Sequence, residues 1–203
     1  MQTKERSHNI FLMAILLTLS FSLLPAFNTL RENHEKFMSI GLLNEEHLAK
    51  DFFPNNTSAV SINETLKWLI YFYNGMGEDI QIIIKVKLRN STIDPPNDLN
   101  KTPSSGKMLL DLNFSAKKNE TLLLPFVWSV TNASFQRGLA RISEMRINNK
   151  NVDLNLTSDS NHFCIVFEVW LYDKSLDTFA FQWDSGKEIE CIWIQKWFRI
   201  APL

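Results

Sequence analysis

The sequence predicts a mostly β protein: an immunoglobulin-like antiparallel β-sandwich preceded by one N-terminal transmembrane helix. Three observations predict it. A charge-free apolar run stands near the N-terminus, short period-two segments follow it, and clusters of Asn, Asp, Pro, Ser and Gly punctuate those segments with no long helical pattern between them. A closed barrel is the alternative arrangement of the same strands.

The chain has 203 residues, enough for an anchor and one domain, and 45% of them are hydrophobic. Residues 10–27, IFLMAILLTLSFSLLPAF, carry no charge. Eighteen residues at a rise of about 1.5 Å each span about 27 Å, close to the hydrocarbon thickness of a bilayer. Lys4 and Arg6 precede the run, so the positive-inside bias keeps residues 1–9 cytoplasmic and sends the rest of the chain outside. A cleaved signal peptide is the competing reading, with Ser20-Phe21-Ser22 or Ala26 as the small-residue site. Cleavage there leaves bulky apolar residues on the new terminus, which favours an uncleaved anchor.

Residues 28–36 are polar and read as a stalk, and residues 37–203 as one extracytoplasmic β-sandwich domain. Strands are expected first at 37–43, with Met38, Ile40 and Leu42 on one face, and within 60–74, where LKWLIYFYN is apolar on both faces. The clearest follows: Ile82, Ile84, Val86 and Leu88 alternate with Lys85, Lys87 and Arg89, which reads as a half-exposed strand with a solvated basic face. Further strands are expected at 108–114, 121–130, 139–147, 163–172, 179–183 and 190–200. Turn clusters at 94–98, 104–106, 148–151 and 184–186 separate them.

A second signal supports the outward orientation. Nine N-x-Ser/Thr glycosylation acceptors begin at Asn55, Asn56, Asn63, Asn90, Asn100, Asn113, Asn119, Asn132 and Asn155, all after the apolar run. Chance placement among the asparagines would give about two or three. Any single acceptor can equally be a plain Asn turn. Cys164 and Cys191 are the only cysteines, and they are either a disulfide or two buried free thiols. If 162–172, 178–183 and 189–200 form an up-down-up meander, both cysteines fall near one end, and a bridge then needs the last strand beside the first.

Three stretches carry a resemblance: Tyr73-Asn74-Gly75-Met76-Gly77, the strand ending Lys87-Leu88-Arg89-Asn90-Ser91-Thr92, and Phe167-Glu168-Val169-Trp170-Leu171-Tyr172-Asp173. Over roughly residues 37–200 the chain resembles archaeal surface proteins of domain of unknown function 1616, of which ammonia-oxidising archaea carry close versions. The resemblance implies a membrane helix followed by one extracytoplasmic β-sandwich. It implies no active site.

A net charge of −1 gives no footprint for nucleic acid. No cofactor or metal is implied: His162 lies near Cys164, but no His/Cys set has ligand spacing, and phosphate-binding glycine loops and a G-x-S-x-G elbow are absent. Glu168 is the carboxylate of most interest, lying mid-strand on the face with Cys164, Val166, Trp170 and Tyr172. A solvent-edged position is expected for it. A glycosidase would need a partner about 5–9 Å away, from Asp184, Glu188 or Glu190. Trp170 and Tyr172 with Trp193 and Trp197 form a candidate binding surface, because aromatic faces stack on sugars and anchor interfaces.

The expected role is therefore a non-catalytic, single-pass cell-membrane protein whose outer domain contacts an envelope protein or a glycan. One alternative is an accessory subunit of a membrane enzyme complex, for which Ala14, Thr18 and Ser22 would supply a small-residue helix stripe. The third is a carbohydrate hydrolase built on Glu168.

Overall fold

A computed structural model describes residues 36–54 and 57–201. The apolar segment 10–27, residues 1–9, stalk residues 28–35 and the acceptors Asn55 and Asn56 lie outside the described residues. From Phe37 onward the chain is built of strands: β1 (Phe37–Leu43), β2 (Ala59–Val60), β3 (Leu66–Gly75), β4 (Ile80–Asn90), β5 (Lys107–Ala116), β6 (Thr121–Gln136), β7 (Leu139–Ile147), β8 (Lys150–Ser158), β9 (His162–Asp173), β10 (Thr178–Ala180), β11 (Trp183–Asp184), β12 (Ile189–Glu190) and β13 (Trp193–Ile200).

They form two sheets. The first has the order β1-β3-β6-β7-β8, and the second β2-β13-β9-β4-β5 with β10 paired to β9. Every pairing in them is antiparallel except the short β2, which runs parallel to β13. β11 and β12 make a separate two-stranded ribbon.

Period-two sequences put one row of side chains between the sheets. Met38, Ile40 and Leu42 from β1, Trp68, Ile70 and Phe72 from β3, and Ile82, Ile84, Val86 and Leu88 from β4 are all buried. Rings bridge the layers edge to face or tilted: Phe126 against Phe167 at 5.1 Å, Trp128 against Phe198 at 4.9 Å and Phe72 against Phe114 at 5.7 Å. Such pairs contribute about 0.5–1.5 kcal/mol each beyond the area they bury. Trp68 sits among Phe126, Trp128 and Phe53, and its indole N–H donates to the Phe52 carbonyl at 2.8 Å, so its polar atom is satisfied.

Local chemistry fixes the turns. Asn148 and Asn149 join β7 to β8 with φ of 45° and 67°, the left-handed pair that a two-residue hairpin needs to match strand twist. Asn74, fully buried, ties two strand ends together. Its Nδ2 donates to the carbonyls of Glu78, Ala116 and Lys117, and its Oδ1 accepts from the Met76 amide. The Tyr73-Asn74-Gly75-Met76-Gly77 motif thus carries a structural hub.

Three expectations change. β6 continues to Gln136, past the anticipated end at 130. β8 was not anticipated, although Val152, Leu154 and Leu156 alternate there; the intervening Asn and Asp residues lower its strand propensity, and pairing with β7 supplies what propensity lacks. The up-down-up meander is replaced by a direct antiparallel pairing of β13 with β9, because β10, β11 and β12 form a detour rather than a full-length intervening strand.

Candidate functional site

The outer face of the second sheet gathers most of the candidate residues. Across it, Lys85 of β4 lies opposite Glu168 of β9, and Glu168 opposite Trp193 of β13; two rungs along, Arg89, Cys164 and Trp197 form a parallel row. Trp170 and Tyr172 continue β9 on the same face. The candidate aromatic residues are therefore brought to one face, each with an intramolecular partner. Trp170 lies under the Lys85 ammonium, 3.7 Å from the ring centroid, and tilts against Phe181; Tyr172 packs on Phe179 and donates its hydroxyl to Asp177; the Trp193 indole donates to Asp98 at 2.5 Å; and the Arg89 guanidinium stacks 4.6 Å over Trp197.

The expected solvated face is not solvated. Lys87 and Arg89 are 6% and 5% exposed and Glu168 is 0% exposed. The cause is the connection between β4 and β5, residues 91–106, which reaches this face through Asp98 and Ser104. Lys87 Nζ sits 2.8 Å from Glu168 Oε2 and donates to the Ser104 carbonyl at 2.6 Å. The Ser104 amide donates to Glu168 Oε1 at 2.7 Å, and the Trp170 indole donates to Oε2 at 3.2 Å. Glu168 is thus a buried, ion-paired carboxylate with both oxygens engaged, which is how a charge is tolerated out of water.

Gly106 lets the connection rejoin the sheet. A Cβ there would stand 2.9 Å from the Leu88 carbonyl oxygen, and the β4–β5 register shifts one residue away, between Val86 and Lys87.

Arg89 closes the other end of the face. Its terminal nitrogens donate to the carbonyls of Asn90 and Ile93 and to Gln195 Oε1 at 2.8 Å, and the Cys164 thiol lies 3.5 Å from the same Gln195 oxygen. Burial pushes the Cys164 thiol up to about 11, with Arg89 pulling the other way. Cys191 lies beside Asp98, and burial raises its thiol too.

Of the two alternatives for the cysteines, the structure has free thiols: both are unbridged, Cys164 buried and Cys191 half-buried. The last strand does lie beside the first, but antiparallel register places Trp197 opposite Cys164, six residues from Cys191, or about 20 Å along a strand. That is far beyond the reach of a bridge.

No family model matches the chain, and no curated protein matches it. Among solved structures it is similar to the CARDB domain of the PF1109 protein in complex with di-metal ions from Pyrococcus furiosus, with 7% identity, a TM-score of 0.38, and coverage of 82% of this chain and 90% of that one. It is also similar to the C-terminal domain of wzt, with 7% identity, a TM-score of 0.35 and coverage of 83% and 80%. A third likeness is to a β-glucosidase from Erythrobacter marinus, with 8% identity and a TM-score of 0.39; it covers 82% of this chain but only 16% of that enzyme. None of these carries a residue or a substrate across. Among the described residues, no group of three His, Cys, Asp or Glu side chains is placed to hold a metal ion.

Of the glycosylation acceptors, Asn63, Asn100, Asn113, Asn119, Asn132 and Asn155 are exposed. Asn90 is corrected. It is 7% exposed, its Nδ2 donates to the Thr157 carbonyl at 2.7 Å, and its Oδ1 accepts from the Thr92 and Ile93 amides. A glycan needs that nitrogen, so it cannot be attached in this fold. Sequence reading missed Ser104, Asp98 and Gln195 altogether, since nothing in a Pro- and Asn-rich connection announces which strand it will cover.

Proposed function

We propose that this chain is a non-catalytic, membrane-tethered cell-surface domain that recognises an envelope protein or a glycan. One observation carries the non-catalytic part: Glu168 is closed off beneath residues 91–106 with both oxygens committed to Lys87, Ser104 and Trp170. A hydrolase would need that carboxyl open to a substrate and free to exchange a proton. Its burial and pairing instead fit a strut that fixes a loop to a sheet.

The tether and outward orientation rest on the apolar run 10–27 behind Lys4 and Arg6 and on acceptors that all follow it. Exposure of Asn63, Asn100, Asn113, Asn119, Asn132 and Asn155 is what glycosylation of an outer domain requires. Within this reading the sandwich is immunoglobulin-like. In support, β1-β3-β6 and β13-β9-β4 follow the A-B-E and G-F-C orders, with β5 added beside β4 and β7 and β8 extending the other sheet.

The test is a turnover screen of the full-length chain against neutral and charged oligosaccharides and peptides, run with cross-linking in native membranes. The expected result is no product and a discrete set of cross-linked neighbours. Hydrolysis of any of these substrates by the chain would refute the proposal.

A further inference from the structure

At the end of the sandwich where β9 finishes and β4 begins lies a cleft of about 720 Å³, walled by the β3–β4 turn, the end of β5 and the β10–β11 segment. Clefts of about 300–1,000 Å³ are the size of small-ligand sites. We propose that it binds neutral hexose units of a glycan; this rests on the recognition-domain reading above and names the ligand class.

The polar groups with spare capacity point to that class. Gln81, Ser115 and Gln182 line the cleft and are exposed, and their side chains make no hydrogen bond among the described residues. Trp183 also lines it, is 6% exposed, and its indole N–H is buried without an acceptor among the described residues. Two amides and a hydroxyl offer donors and acceptors without charge, the complement of vicinal hydroxyls.

The carboxylates also offer acceptors to hydroxyl donors. Asp79 Oδ1 accepts the Lys118 amide, Asp173 Oδ1 the Ser175 amide and hydroxyl, and Asp184 Oδ1 the Gly186 amide. Each retains a second oxygen that can accept from a sugar hydroxyl in a short, charge-assisted bond. Acidic groups outnumber basic ones in the lining, Glu78, Asp79, Asp173 and Asp184 against Lys36 and Lys174, which disfavours an anionic sugar. Leu171 and the rings of Tyr172 and Trp183 supply the apolar surface against which the C–H face of a pyranose packs.

The experiment titrates the full-length chain with neutral tetrasaccharides of glucose, mannose and galactose, with a galacturonate tetrasaccharide and with tetralysine. Heat of binding and the Trp183 indole N–H resonance are followed, and the sugars are recovered for mass analysis. Saturable binding of a neutral tetrasaccharide is expected, with a shift of the Trp183 resonance. Gln81→Ala with Gln182→Ala should weaken binding about tenfold while leaving the urea midpoint unchanged, since both side chains are exposed and without a partner among the described residues.

Three results overturn the assignment: no neutral tetrasaccharide binds, tetralysine or galacturonate binds in their place, or the sugar binds with equal affinity to the glutamine double variant. If the sugars do not bind but the chain still cross-links to an envelope protein, the cleft assignment alone fails. If a bound sugar is recovered cleaved, the cleft stands and the non-catalytic reading fails.

Discussion

Replacing Glu168 by Gln keeps the shape of the side chain and removes its charge. At 2.8 Å from Lys87 Nζ, and with an effective dielectric constant of about 20, the pair attracts by about 6 kcal/mol. Desolvating the two ions costs several kcal/mol each, so the intact pair contributes little net stability. The substitution is a different matter, because the desolvated ammonium of Lys87 stays buried, 8% exposed, without its counter-charge. The new amide can also keep only one acceptor oxygen, so its NH2 group must face Lys87 and Trp170 or the Ser104 amide, all of them donors.

Breaking one side of a buried pair costs about 3–5 kcal/mol. With a urea m-value of about 2 kcal/mol/M, the unfolding midpoint followed by tryptophan fluorescence should fall by about 1.5–2.5 M. Lys87→Met alone should cost a similar amount, and the double variant clearly less than the sum, leaving a coupling of about 2 kcal/mol or more. Amide exchange in residues 91–106 should accelerate in Glu168→Gln, since Ser104 is pinned there. A Glu168→Gln variant within 1 kcal/mol of the parent, or additive single and double variants, would refute the idea that this pair fastens the loop to the sheet.

Two further predictions concern buried groups. At neutral pH a thiol-alkylating reagent should add one group to the native chain, at the half-buried Cys191, and a second only on unfolding; mass spectrometry distinguishes this from a disulfide, which would add none. Cys164 also sets a pH dependence. Its folded value of about 11 lies above the ordinary thiol value of 9.0, so the stability of the protonated thiol is fully present below pH 9 and is lost as pH rises towards 11. The loss is about 2–3 kcal/mol and should be absent from the stability–pH curve of Cys164→Ala. For glycosylation, peptide mapping should find Asn90 unmodified, and Asn90→Asp, which replaces the amide that donates to Thr157 with an acceptor, should destabilise the fold by about 1–3 kcal/mol. A glycan at Asn90 in folded protein would contradict the buried geometry.

The sequence determined the strands and much of what turns them. Period-two alternation in 37–43 and 82–88 is a local property, set by the geometry of one strand, and it identified the inward rows of β1 and β4 correctly. Asn pairs and Gly-containing clusters marked hairpins for an equally local reason, their tolerance of positive φ. Alternation says nothing about what lies over the other row. Lys87, Arg89 and Glu168 read as outward and therefore wet, and they do point outward from the sheet; only the path of residues 91–106 made that side interior.

The cysteines failed to pair for the same kind of reason. Their separation depends on the register of β13 against β9, which is set by the short detour between them and not by either strand. Pairings between segments about eighty residues apart, such as Lys87 with Glu168, are written in no local pattern. The tertiary structure decides them, because burial is a property of what crosses a surface and not of the surface itself.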